Sequence, residues 1–168
     1  MSDRTVLRDR LCTELAHAEH DARIHTCRQA ARLGDTPPGH ALHAICEHTA
    51  EVEPMIEKLM KTTRPSHGAL RWIGDLISSF RFALADRFAS PDRAYRAVLA
   101  ELKRGVDAAR LLREVVSITE DEALLKFCDL ILVERLCLIE EADDALVWFA
   151  EHPERHLLPA KTGDTVTA

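Results

Sequence analysis

Apolar residues recur at close to 100° per residue along most of this chain, and only a few short breaks interrupt the pattern. That period lays apolar side chains on one stripe of an α-helix, and each stripe must be buried against another helix. Leu7, Leu11, Leu15, Ala18 and Ala22 share a stripe in the first segment. Leu42, Ile45, Val52, Ile56 and Leu59 do so in the second, and Ile73, Leu76, Ile77, Phe80, Leu84 and Phe88 in the third. Tyr95, Val98, Leu99, Leu102, Val106 and Ala109 form the fourth stripe. Leu124, Phe127, Ile131, Leu138, Ala142, Ala145 and Phe149 form the fifth. No stretch alternates with period two between hairpin turns, so the chain reads as all-α.

The breaks have recognisable chemistry. Gly34 suits the position just past a helix end, so the first helix is expected over 3–33. Thr36-Pro37 offers an N-cap followed by proline at the first helical position, starting a second helix that runs to about residue 61. Pro54 inside it removes a backbone hydrogen bond and predicts a kink. Ser66 caps a third helix over 67–89, and Ser90-Pro91 starts a fourth that continues to about residue 117. Thr119 and Glu122 have the spacing of a capping box for the fifth, which runs to His152 before Pro153 stops it.

A length of 168 residues, 46% apolar and 30% charged, fits one compact helical domain over 1–153 followed by a polar tail over 154–168. The net charge of −6 argues against nucleic acid as a partner. No apolar run approaches the roughly 18 residues of a membrane span, so no membrane partner is expected either. The first ten residues are charged and lack the apolar core of a signal peptide. Five cysteines without a C-x-x-C pair indicate neither a zinc ribbon nor a disulfide framework. Reduced thiols and a cytoplasmic location are the resulting expectation.

Connection lengths suggest the topology. Three residues, 34–36, join the first two helices, which makes them an antiparallel hairpin. The fourth and fifth helices form a second hairpin, and segment 62–90 must connect the two. Two long antiparallel hairpins joined by a long crossover resemble the ferritin-like four-helix bundle, with a crossover that here contains an extra helix.

That resemblance implies a di-iron ligand set of Glu residues from two helices and Glu-x-x-His from the other two. This chain has Glu14-x-x-His17, but Glu47, Glu53 and Glu134 are followed at the third position by Ala50, Ile56 and Cys137. The di-iron set is therefore incomplete. A hemerythrin-like site is matched in one element, His43-x-x-x-Glu47, with no later histidines to complete it.

Seven of nine histidines precede residue 68, and none lies between Gly68 and Glu151. Among them His25 falls on the apolar stripe. Counting outward from the turn near residue 37 puts residue 25 opposite residue 49, one turn from Glu53. His25, Glu53, Asp21 and His48 are thus candidates for a mixed nitrogen and oxygen site for iron, manganese or zinc. The competing expectation is a core histidine bonded to a carboxylate.

Two arginines also fall on apolar stripes, Arg113 beside Ala109 and Val116, and Arg135 beside Ile131 and Leu138. A buried arginine needs a partner. Glu53, Glu101 or Glu134 could serve, or the two arginines could form an inward pocket for a small anionic ligand. Residues 120–154 carry eleven acids against two bases, whereas 64–113 carry ten bases against five acids. Such a bipolar surface suits self-association or a protein partner. The reading favoured by the sequence is a non-enzymatic, self-associating helical bundle.

Overall fold

The computed structural model describes residues 3–62, 90–119 and 121–157. Four long helices make up most of it: α1 (Asp3–Leu33), α2 (Pro37–Thr62), α3 (Pro91–Thr119) and α4 (Glu122–Asp144). A short α5 (Val147–Glu151) and a 3-10 turn (Pro153–Leu157) follow. No strand occurs among the described residues. The helix expected over 67–89, and with it the crossover, lies outside the described residues.

Local chemistry explains the first hairpin. Gly34 has φ 62°, a left-handed conformation that costs glycine little, and its N–H donates to Ala30 O at 2.9 Å. Thr36 Oγ1 accepts from the Gly39 N–H at 3.2 Å and so caps α2. A side chain at Gly39 would have its Cβ 2.2 Å from the Gly34 carbonyl oxygen, so the turn closes only around a glycine. α2 continues through Pro54 to Thr62.

α1 packs on α2 and α3, and α4 packs on the same two helices. The four long helices therefore stand at the corners of a square, with α1 and α4 on one diagonal. His25 meets Glu101, and Ala18 lies against Gly105, so α1 and α3 run in opposite directions. His48 meets Glu134, while Ile56 and Leu59 share a crevice with Leu124 and Phe127, so α2 and α4 are also antiparallel. It follows that α2 and α3 run the same way, and that the end of α2 and the start of α3 lie at opposite ends of the bundle. One hydrophobic cluster draws on all four helices, with Leu15, Leu42, Ile45, Leu112 and Val116 almost fully enclosed. Leu7, placed on the first stripe by its spacing, lies outside that cluster at the surface.

Two boundaries differ from those expected. Asp121, not Thr119, caps α4: its carboxylate accepts from the Leu124 N–H at 3.2 Å. Thr119 instead ends α3, donating its hydroxyl to Val116 O. The fifth expected helix also breaks after Asp144. Around Ala145 and Leu146 the backbone changes to tighter bonds, with Leu146 N–H donating to Asp143 O. The Ala142 carbonyl then accepts the Tyr95 hydroxyl at 2.8 Å, deep in the core. The break turns Phe149 inward, where its ring lies 5.3 Å from that of Tyr95.

Candidate functional site

The most unusual interior feature is a layer of ionic side chains. Arg135 of α4 reaches Glu19 of α1 with a 2.5 Å contact between Nη2 and Oε2, and the two side chains are only 3% and 4% exposed. The same Nη2 donates to His48 Nδ1 at 3.1 Å. A guanidinium can only donate, so Nδ1 of His48 must be an unprotonated acceptor. The proton of the neutral ring is then on Nε2, which donates to Glu134 Oε2 at 3.0 Å. Glu19, Arg135, His48 and Glu134 thus form one chain linking α1, α4 and α2. The Nε of Arg135 is buried with no hydrogen-bond partner among the described residues.

Burial shifts the titration of this layer. It pushes the Glu19 carboxyl up from its ordinary value, and the Arg135 guanidinium beside it pulls the other way. Burial also pushes His48 down, and Arg135 adds to that effect, while Glu134 opposes it. His48 therefore resists taking up the proton that would set its Nδ1 against the guanidinium.

The candidate metal ligands are divided among separate pairs. His25 is buried, and the carboxylate it meets is on α3: its Nδ1 lies 2.6 Å from Glu101 Oε2. Glu53 shares a hydrogen bond with His20 Nδ1 at 2.8 Å and forms an ion pair with Arg23, whose Nε is 2.7 Å away. His48 belongs to the ionic layer, and Asp21 is half-buried with an interaction of its own within the chain. No group of three or more His, Cys, Asp or Glu among the described residues is arranged to hold a metal ion. α1 faces two neighbours, α2 and α3, and the carboxylate that meets His25 is on α3.

Of the two arginines, only Arg135 is internal. Arg113 lies at the surface with a side chain 41% exposed, paired with Asp129 on α4 and with the adjacent Glu114. The two arginines form no common pocket, and carboxylates of the chain itself occupy the guanidinium of each. Glu19 was not among the partners expected for Arg135. It stands four residues after Leu15 on the same face of α1, so its stripe position marked it for burial.

The cysteines divide in the same way. Cys27 and Cys46, expected as separate thiols, have Cα atoms 5.2 Å apart and form a disulfide joining α1 to α2. They lie almost symmetrically about the turn at 34–36, so the count outward from the turn also predicts their meeting. Cys12 and Cys128 are free. Burial raises their thiols to about 11 and about 12, so neither supplies a nucleophilic thiolate at neutral pH.

Outside the bundle, α4 presents apolar side chains to solvent. Leu130, Val133 and Leu136 are 46%, 66% and 40% exposed at steps of three residues. Cys137 is exposed beside them, and Lys126 and Glu140 lie on the same outward face. Other exposed apolar side chains, such as Val6, Ile24, Met55 and Ile118, are distributed over α1, α2 and α3. No described helix is long and apolar enough to cross a membrane. Comparison of the chain with protein-family models, with curated proteins and with solved structures finds no match in any of the three.

Proposed function

We propose that this chain is a non-enzymatic helical-bundle protein that acts in structural or protein–protein interaction and associates with itself. The observation that carries this reading is the exposed row of Leu130, Val133 and Leu136 on the outer face of α4. Apolar rows of this kind on a rigid helix mark interaction sites. The interior supports the same reading from the other side: Glu19, Arg135, His48 and Glu134 are bonded in one chain, and burial keeps the Cys128 thiol protonated. Self-association stabilises the folded chain by mass action. The melting temperature should therefore rise with protein concentration, and a midpoint independent of concentration would count against it.

A ferritin-like topology without a complete metal centre is part of the proposal. Its support is the placement of α2 and α3 on opposite corners, running the same way with their joining ends far apart. The alternatives of a bound iron, manganese or zinc ion and of a small anionic ligand have weaker support, since His25, Glu53 and Arg135 are each engaged by other side chains. A cytoplasmic location also belongs to the proposal, and the Cys27–Cys46 bridge argues against it because reducing compartments keep thiols free. Counting free thiols in protein alkylated at lysis decides that point.

A further inference from the structure

Sulfur atoms from three helices stand at one level of the bundle, below the ionic layer. α1 and α4 run the same way, since each is antiparallel to α2. Glu19 of α1 and Arg135 of α4 meet across the diagonal. Cys12 stands seven residues before Glu19, and Cys128 seven before Arg135. Seven residues are two helical turns, so each cysteine shares a face with its ionic residue and lies about 10 Å along the axis from it. The two cysteines therefore oppose each other across the same diagonal.

α2 brings a third sulfur to them. The Cys27–Cys46 bridge fixes the register of the first hairpin. Fifteen residues back along α1 from Cys27 stands Cys12, and fourteen on along α2 from Cys46 stands Met60. Cys12 and Met60 line one crevice of about 10 Å³, together with Leu15, Leu124 and Phe127. Cys128 follows Phe127, one turn after Leu124, and is fully buried. Burial raises its thiol first and Cys12 adds to that effect, as a neighbouring thiol does. Both cysteines are free of the bridge. Among the described residues, no side chain lining the crevice carries nitrogen or oxygen. Thiolate and thioether donors are soft, and they favour Cu(I) over manganese, magnesium or calcium. Structural zinc takes four ligands, and three sulfurs leave it one short. The crevice has the room of about one water-sized sphere, which suits a single ion.

We infer that Cys12, Cys128 and Met60 form a site for one Cu(I) ion between α1, α2 and α4. A thiol that burial keeps protonated is still deprotonated by a metal that coordinates it. Cu(I) displaces the protons of Cys12 and Cys128 and forms a bond to each sulfur, and the Met60 thioether is the third donor. No electron is transferred, and two protons leave for each ion bound. Burial opposes both thiolates, while Arg8 near Cys12 and Arg113 near Cys128 favour them and offset the charge of the complex. The site lies inside the bundle and does not depend on self-association through its outer surface.

The test is an anaerobic titration of the full chain, its Cys27–Cys46 bridge intact, with the Cu(I) complex of bicinchoninate. The chain is expected to withdraw one Cu(I) per molecule, and Cys137→Ser to leave that unchanged. Cys12→Ala and Cys128→Ala are each expected to weaken binding by about a hundredfold or more, and Met60→Leu by less. Circular dichroism checks that the variants keep their helices. X-ray absorption at the copper edge of the wild-type complex reads the site without any substitution, and should show a shell of sulfur alone. A chain that leaves the Cu(I) with the chelator overturns the inference. So does binding that persists in the Cys12→Ala/Cys128→Ala chain, binding that is lost with Cys137→Ser, or a copper shell that contains nitrogen.

Discussion

Arg135 of α4 and Glu19 of α1 meet across the diagonal of the bundle, each enclosed by the core. Neither helix packs extensively on the other, so this pair ties together corners that apolar contacts leave apart. Removing one member leaves an uncompensated buried charge. Glu19→Ala or Arg135→Ala is expected to lower stability by about 3–5 kcal/mol. Exchanging both for apolar residues of similar size, Glu19→Leu with Arg135→Met, should restore most of that loss. Chemical denaturation midpoints check both outcomes.

His48 gives the layer a pH dependence. Its folded-state affinity for a proton is depressed by burial and by Arg135, against an ordinary value of 6.5. The unfolded chain therefore binds a proton that the folded chain resists, and acid favours unfolding. The stability due to His48 is present above about pH 6.5 and is lost as the pH falls through its depressed folded value. Glu134 on α4 and Glu51 on α2 oppose this effect without reversing it. His48→Gln, whose amide takes up no proton, should flatten this part of the profile. Unfolding measured between about pH 7 and pH 5 against wild type tests the sign.

The pairing of His25 with Glu101 predicts a specific coupling. A double-mutant cycle on His25 and Glu101 should show an interaction energy of about 0.5–3 kcal/mol. The corresponding cycle on His25 and Glu53 should show almost none, since Glu53 is held by His20 and Arg23. Equal coupling in the two cycles would contradict the division into separate pairs.

The Cys27–Cys46 bridge closes a short loop around the first turn, with a sequence separation of 19. Cross-links of this size contribute about 3 kcal/mol when the native geometry is relaxed. Reduction with dithiothreitol, or Cys27→Ala with Cys46→Ala, should lower the melting temperature without loss of helix content.

Much of the fold was legible because its signals are local. Gly34, Thr36 with Pro37, and Ser90 with Pro91 each act within a few residues, and the helices begin and end beside them. Asp121 displaced Thr119 as a cap because two residues capable of capping stand close together, and sequence order does not decide which carboxylate or hydroxyl reaches the free N–H. The break after Asp144 has no glycine or proline to announce it. It depends on the Tyr95 hydroxyl and the Phe149 ring, which arrive from distant parts of the chain. The candidate site was readable to the same limit. Periodicity marked His25 and Arg135 as inward-facing, but their partners Glu101 and Glu19 depend on which helices become neighbours or stand diagonally opposite.

The most direct test of the proposed self-association is sedimentation equilibrium of the untagged full chain, from low micromolar concentration upward. The mass is expected to rise from 18.9 kDa towards twice that value with concentration. A mass that stays at 18.9 kDa across the whole range would contradict it.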